Sequence, residues 1–455
     1  MSAQTFTRRG LIEGYYGTPW SHEDRLEMIR FASRYGFNSY FYAPKAEALL
    51  HERWQELHPP KEMRLLKELV TEAHSQGCAF YYGISPGLTM QYSNEEHQHM
   101  LWGKYKSMLD IGVRHFTLQF DDIPLRLMHK ADQQTFRKLS DAQVHTILTL
   151  WNKLRYYDEN IHLVICPTIY NGLGDEIYVR ELGNALPEEI DIFWTGRFVC
   201  SPYLLEEDAQ YFYDQTGHYP FYWDNYPVND MAMTAELHIG PLQNRGKQLH
   251  RLARGYVANV MESPEISKIA LITISNYLAK PEKYVADQAF QEAVREVVGK
   301  QDYQAFMQFS DHVRRSFLCE QDSPRLMEKL HQFRFHFFHG DQELAMRLLS
   351  KTFTEMEVSA CRLLTKMENQ RLATEIKGWL TKYFYWSQVG KWLTRLVDAG
   401  RKGKVLFTIF HLLQVKRWLR KTNRLPQYEV SGNVMRMLVQ VVFSEMRNLK
   451  GWKRT

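Results

Sequence analysis

From residue 9 to about residue 280 the chain alternates short apolar runs with amphipathic stretches, and no other feature constrains its fold as much. The apolar runs fall at 10–13, 38–42, 79–84, 115–120, 162–166, 190–194, 219–223 and 256–260. They are rich in bulky and β-branched residues, the pattern of buried strands. Helix signals lie between them. Ser21-His22-Glu23-Asp24 resembles a capping box that opens a helix running to Tyr35, with Gly36 as its stop. A second helix is expected over 63–76, and a third after Ser93-Asn94-Glu95-Glu96, ending near Gly112. Eight strand–helix units in this length predict a (β/α)8 TIM barrel, which typically takes about 250 residues. An open doubly wound sheet usually has fewer strands and a phosphate loop, and neither a G-x-G-x-x-G nor a Walker sequence is present.

Beyond residue 280 the strand signals vanish. Amphipathic runs at 303–319, 342–367, 372–399 and 403–422 follow, punctuated by Gly340, Gly400 and Gly403. This predicts an all-α helical bundle. The expected division is a catalytic barrel over 1–285 and a bundle over 286–455.

Bulk properties narrow the classes. A chain that is 44% hydrophobic and 24% charged is globular. Its net charge of +5 is too weak to argue for nucleic acid. Basic residues gather at Lys416-Arg417-Trp418-Leu419-Arg420-Lys421 and from Lys450 to Arg454, where solvated helix faces are expected. The scattered cysteines, Cys78, Cys166, Cys200, Cys319 and Cys361, include no Cys-x-x-Cys, so neither a disulfide framework nor a zinc site is expected. The N-terminus lacks an apolar signal core, and no stretch is long and apolar enough to span a bilayer. The expectation is a cytoplasmic chain with no membrane or nucleic-acid partner and no metal or organic cofactor.

The chemistry-bearing feature is Asp121-Asp122, at the end of the fourth apolar run. Two carboxylates that close cannot both ionise freely, so one is expected to keep its proton longer, as acid-assisted bond cleavage requires. Active sites of these barrels gather at the C-terminal ends of the strands. Those ends carry Glu13, Lys45, the acidic pair, Tyr170, Asp224, Asn225 and Asn259. Residues far apart in sequence would thus meet on one face. Aromatics at 14% fit core filling and equally fit a sugar site, where flat rings pack on sugar faces.

Several segments together resemble glycoside hydrolase family 84, the O-GlcNAcase and bacterial hexosaminidase family, over roughly residues 9–285. They are Glu13-Gly14-Tyr15-Tyr16-Gly17-Thr18-Pro19-Trp20, Tyr42-Ala43-Pro44-Lys45, Asp121-Asp122, Cys166-Pro167-Thr168-Ile169-Tyr170, Trp194-Thr195-Gly196 and Trp223-Asp224-Asn225-Tyr226-Pro227-Val228-Asn229-Asp230. The resemblance implies a retaining β-N-acetylglucosaminidase in which the substrate's 2-acetamido oxygen attacks the anomeric carbon and forms an oxazoline, a departure from the usual two-carboxylate scheme.

It also implies roles. Asp121 would orient and polarise the acetamido group. Asp122 would be general acid, then general base, and Tyr170 would hydrogen-bond near the acetamido carbonyl. Gly14, Lys45 and Asn259 would bind sugar hydroxyls, and Asp230 the 4- and 6-hydroxyls. Trp223 would wall the pocket, and Asn225 would touch the N-acetyl group or the leaving oxygen. The substrate would be an N-acetylglucosamine-containing glycoside or glycoprotein, and the helical region would offer a homodimer contact. Three positions depart from the family pattern: Ala46-Glu47, Arg197 and Val260 after Asn259. They put leaving-group preference in doubt more than chemistry. Two other readings share the sequence, a non-catalytic sugar-binding protein and a helical scaffold with the barrel as passenger.

Overall fold

A computed structural model describes residues 5–451, with side chains through residue 444. The side chains of the second basic cluster, Lys450 to Arg454, and the first four residues of the N-terminal stretch lie outside what is described. The chain forms two compact units. The first takes the chain up to Asp230, then Leu242–Pro264 and Leu271–Ala286; the second takes Met231–Pro241, Glu265–Ala270 and the chain from Asp287 on.

In the first unit the elements alternate as β1 (Arg9–Ile12), α1 (His22–Arg34), β2 (Ser39–Tyr42), α2 (Pro60–Ser75), β3 (Ala79–Ile84), α3 (Glu95–Asp110) and β4 (His115–Gln119). There follow α4 (Lys130–Thr135), α5 (Leu139–Tyr157), β5 (His162–Cys166), α6 (Ile177–Ala185), β6 (Ile190–Trp194), α7 (Glu206–Thr216), β7 (Phe221–Asp224) and β8 (Gly255–Asn259). The eight strands are parallel and close into a barrel, β8 pairing back on β1 with Leu11 opposite Ala258. A (β/α)8 barrel is therefore what this half of the chain makes.

The capping box at Ser21 forms: its hydroxyl accepts the Asp24 N–H at 3.1 Å, and the Asp24 carboxylate accepts from the Ser21 backbone. Strands β2, β5, β6, β7 and β8 are buried at every position. They read as continuous apolar runs for that reason, since helices cover a parallel sheet outside and side chains fill it inside. The filling includes Ile12, Phe41, Tyr81, Val164, Phe193, Phe221, Trp223 and Val257. Phe41 stacks on Tyr81 at 3.9 Å between centroids, and Phe193 meets Phe221 edge-on at 5.3 Å. At the N-terminal end, buried Asp191 joins His162 at 2.7 Å and lies 3.6 and 3.5 Å from Arg8 and Arg254.

Two differences from the sequence expectation have physical causes. The seventh strand begins at Phe221, not 219, because Pro220 has no N–H for a ladder and Tyr219 stacks on Tyr213 of α7. The connection from β7 to β8 holds two 3-10 turns, Met231–Met233 and Leu249–Arg251, where a helix was expected.

The eighth barrel position is followed by α8 (Pro264–Ala279), which contributes to both units. Then come α9 (Ala286–Val298), α10 (Tyr303–Asp311), α11 (Pro324–Phe338), α12 (Gln342–Lys366), α13 (Gln370–Glu375), α14 (Lys377–Arg401), α15 (Val405–Asn423) and α16 (Val434–Gly451). Among the described residues no named strand follows β8. The helix expected over 303–319 stops at Asp311, whose carboxylate accepts the N–H groups of Arg325 and Leu326 at 3.2 Å each and so starts α11. The run 372–399 divides at Ile376 into α13, capped by Asn369, and α14. No described helix is long and apolar enough to cross a membrane.

Candidate active site

β4 delivers the acids. Gln119, fully buried at its end, accepts from Ser85 Oγ at 3.0 Å and Lys45 Nζ at 3.4 Å, and donates to Thr117 Oγ1 at 3.2 Å. Two residues on, Asp121 keeps its side chain 7% exposed and pairs through Oδ2 with Lys45, which follows β2. The other oxygen, Oδ1, is buried and has no partner. Burial alone would pull the Lys45 ammonium down, but Asp121 outweighs it and holds the amine above its ordinary range. The Lys45 amine thus faces Asp121 out of water.

Asp122 differs in every respect. It is exposed, and its backbone is left-handed with φ of 57°. Asp adopts that region more readily than most residues, and its occurrence beside a second acid marks a constrained turn. Two phenols donate to its carboxylate, Tyr16 to Oδ2 at 2.6 Å and Tyr170 to Oδ1 at 2.9 Å. Burial, then the Asp122 charge, raises both phenol pKa values, so Tyr16 and Tyr170 remain donors throughout the physiological range.

The remaining predicted residues form a second chain of contacts. Gly14 N donates to Asn259 Oδ1 at 3.1 Å, Asn259 Nδ2 to Asn225 Oδ1 at 2.9 Å, and Trp223 Nε1 to the same oxygen at 2.9 Å. Asn225 Nδ2 is spent on the Val199 carbonyl at 2.7 Å. Position 14 requires glycine, because a Cβ there would lie 2.3 Å from Cζ2 of Trp223. Lys45 joins the two chains, its Nζ standing 5.6 Å from the Trp223 ring centroid. Asp230 accepts the Tyr16 N–H at 2.7 Å and so stands beside the acid pair's phenol. All nine predicted residues therefore meet on the C-terminal side of the barrel.

Sequence reasoning missed two members, Tyr16 and Gln119. Tyr16 sits inside the Glu13–Trp20 segment, but nothing in Tyr15-Tyr16 says which ring is buried (Tyr15, 2% exposed) and which faces the acid (Tyr16, 44%). Gln119 was legible as a polar residue inside an apolar run. Two strand-end acids play no part in the pocket chains. Glu13 is fully buried and held by Arg25 Nε at 3.0 Å and by Tyr40, while Asp224 is gripped by Arg245 at 2.7 and 2.8 Å and by Tyr256. The departure at Arg197 is likewise tied down, its guanidinium engaging Asp208 of α7 at 2.6 to 3.0 Å.

A parallel eight-stranded barrel with a vicinal acid pair, a buried lysine and a tryptophan wall at its C-terminal end defines the class of barrel glycoside hydrolases. The chain belongs to the beta-N-acetylglucosaminidase family, glycoside hydrolase family 84, whose family model matches residues 9–311. It is 30% identical over 274 residues to the Protein O-GlcNAcase of Rattus norvegicus, covering 59% of this chain and 29% of that protein. The chain thus spans less than a third of the length of that curated relative. A mutant of the Thermobaculum terrenum O-GlcNAc hydrolase superimposes with a TM-score of 0.93 at 31% identity, over 99% of this chain and 96% of the other. The structure of CpGH84B gives a TM-score of 0.86 at 25% identity, over 97% and 77%.

Proposed function

We propose that the chain is a retaining β-N-acetylglucosaminidase that cleaves terminal β-linked N-acetylglucosamine by substrate assistance. The observation that carries this reading is the asymmetry of the acid pair. Asp121 is buried, charge-paired on one oxygen and unpartnered on the other. A buried acceptor left without a donor costs about 1–3 kcal/mol, so Oδ1 suits an N–H donor brought by a ligand. An acetamido N–H is such a donor. Held there, the acetamido group turns its carbonyl oxygen toward the anomeric carbon, and the Asp121 charge offsets the positive charge that builds on ring and acetamido nitrogen.

Asp122, at the mouth, is placed for proton traffic. As the acetamido oxygen forms its bond to C1, the C1–aglycone bond breaks and the leaving oxygen takes the Asp122 proton. Water then attacks C1 of the oxazoline, gives its proton to Asp122 and restores the acetamido group. Two inversions give net retention. Tyr170 would pass its hydrogen bond from Asp122 to the acetamido or oxazoline oxygen, and Tyr16 would keep the acid oriented. Gly14, Lys45, Asp230 and Asn259 would meet sugar hydroxyls, with Trp223 as the wall and Asn225 near the N-acetyl group. The relatives named O-GlcNAcase and O-GlcNAc hydrolase support a glycoprotein as substrate. Five cysteines without a disulfide fit a cytoplasmic setting.

Turnover of an aryl β-N-acetylglucosaminide tests the reading. Hydrolysis with β-anomer release as the first product is expected; inactivity from acidic to neutral pH would exclude it.

A further inference from the structure

Strand β4 carries a polar line into a barrel interior filled largely by apolar side chains. Side chains two apart on a strand share a face, so the line from Thr117 through Gln119 leads to Asp121. The ladder continues past Gln119, where the Phe120 N–H donates to the Cys166 carbonyl at 2.8 Å. Thr117 and Gln119 are fully buried, and a buried amide is costly unless its donors and acceptor are matched. The neighbours of Gln119 fix which way its amide points. Protonated Lys45 donates and cannot accept, so the Gln119 atom that meets it at 3.4 Å is Oε1, which also accepts from Ser85 just past β3. Nε2 then turns to Thr117 Oγ1 at 3.2 Å. Gly83 of β3, opposite Thr117, makes room for that hydroxyl, since a Cβ there would lie 2.5 Å from it.

An amine beside a carboxyl group can lie across both of its oxygens. In this pocket it does not: Lys45 reaches Oδ2 of Asp121, and Oδ1 stays buried without a partner. Gln119 Oε1 takes a second N–H of the same amine. We propose that Gln119 is a positioning residue: it holds Lys45 on Oδ2 and so keeps Oδ1 of Asp121 open for the acetamido N–H. The identity of that ligand rests on the glycosidase reading; the positioning rests on the contacts of Lys45. The other titratable groups facing the amine are His51, Cys166 and Asp122. Burial, then the Lys45 charge, lowers the His51 pKa to about 4, and burial raises the Cys166 thiol, so neither brings charge to the amine. Asp122 is taken by the phenols of Tyr16 and Tyr170. Gln119 is therefore the group that competes with Oδ1 for Lys45.

A double-mutant cycle with Lys45 tests it, read as kcat/KM on an aryl β-N-acetylglucosaminide. Gln119→Leu should lower kcat/KM about tenfold in the wild type and less than about twofold in Lys45→Met, because a residue that acts through Lys45 has nothing left to hold there. Ser85→Ala with Thr117→Val frees the amide while keeping Gln119 and Lys45. It should lower kcat/KM about threefold with the same dependence on Lys45, which keeps the proposal open to test if the Leu variant misfolds. Equal losses in both backgrounds, or no loss in the wild type, overturn the proposal, since Gln119 would then only fill the core. A crystal structure of Gln119→Leu, or of the Ser85 and Thr117 variant, supplies a readout that needs no turnover. Lys45 Nζ should move across both oxygens of Asp121; an amine still on Oδ2 alone overturns the proposal. With an inactive wild type the glycosidase reading falls, while the moved amine still upholds the positioning and the unmoved one overturns it as well.

Discussion

At the scale of single residues the two acids are neighbours in sequence and opposites in environment. Asp121 is buried against Lys45, and Asp122 is exposed between two phenols. Their variants should differ accordingly. Asp122→Asn should slow substrates with poor leaving groups by about 10²–10⁴ and activated aryl glycosides far less, because acid help matters only where the leaving oxygen is basic. Equal losses on both, in kcat/KM, would remove Asp122 from the acid role. Asp121→Asn should slow both substrate classes by about 10²–10³, since the charge it supplies is needed whatever departs. Gly14→Ala forces a methyl group into the Trp223 ring, and overpacking of this kind costs about 1–3 kcal/mol. Denaturant titration should find that loss along with a raised KM; a variant as stable as wild type would mean the ring moves freely. The pair, Lys45 and Tyr170 were legible in the sequence because each follows a strand. Tyr16 was not, because only tertiary packing decides which of two adjacent tyrosines reaches Asp122.

At the scale of elements, local signals with a single physical cause were read correctly, and those that depend on distant partners were not. The capping box at Ser21 is local, and Ser21→Ala should cost about 1 kcal/mol in chemical denaturation. The end of α10 at Asp311 was hidden, because the carboxylate that starts α11 lies 14 and 15 residues upstream of the amides it caps. Glu375 is a similar long-range cap, accepting the N–H groups of Glu265 and Ile266 at 3.0 and 2.8 Å within the second unit. Burial raises its pKa to about 7, against the pull of those two amides. Because the folded value lies above the ordinary one, its contribution is complete below about pH 4.5 and is lost as pH rises through about 7. Wild type should therefore lose up to about 3 kcal/mol relative to Glu375→Gln across that window. Parallel stability profiles for the two proteins would show that Glu375 does not titrate there.

At the scale of the whole molecule, the eight strands were legible because a parallel barrel buries both faces of each strand and so writes continuous apolar runs. The β7–β8 connection was not, since its 3-10 turns carry no periodicity. The central claim concerns how this barrel cleaves its substrate: the nucleophile arrives with the sugar, and the protein supplies orientation and a proton. A thiazoline mimic of the oxazoline should bind tightly, and at a hundredfold excess over its Kd it should add about 2.7 kcal/mol to the stability of the wild type. The most direct measurement is kcat/KM for aryl β-N-acetylglucosaminides whose acetyl group bears zero, one, two or three fluorines. Each fluorine weakens the acetamido oxygen as a nucleophile while leaving the aglycone unchanged. Substrate assistance predicts a steep, progressive fall across the series. A flat series would mean that a protein carboxylate attacks the anomeric carbon, and would contradict the account.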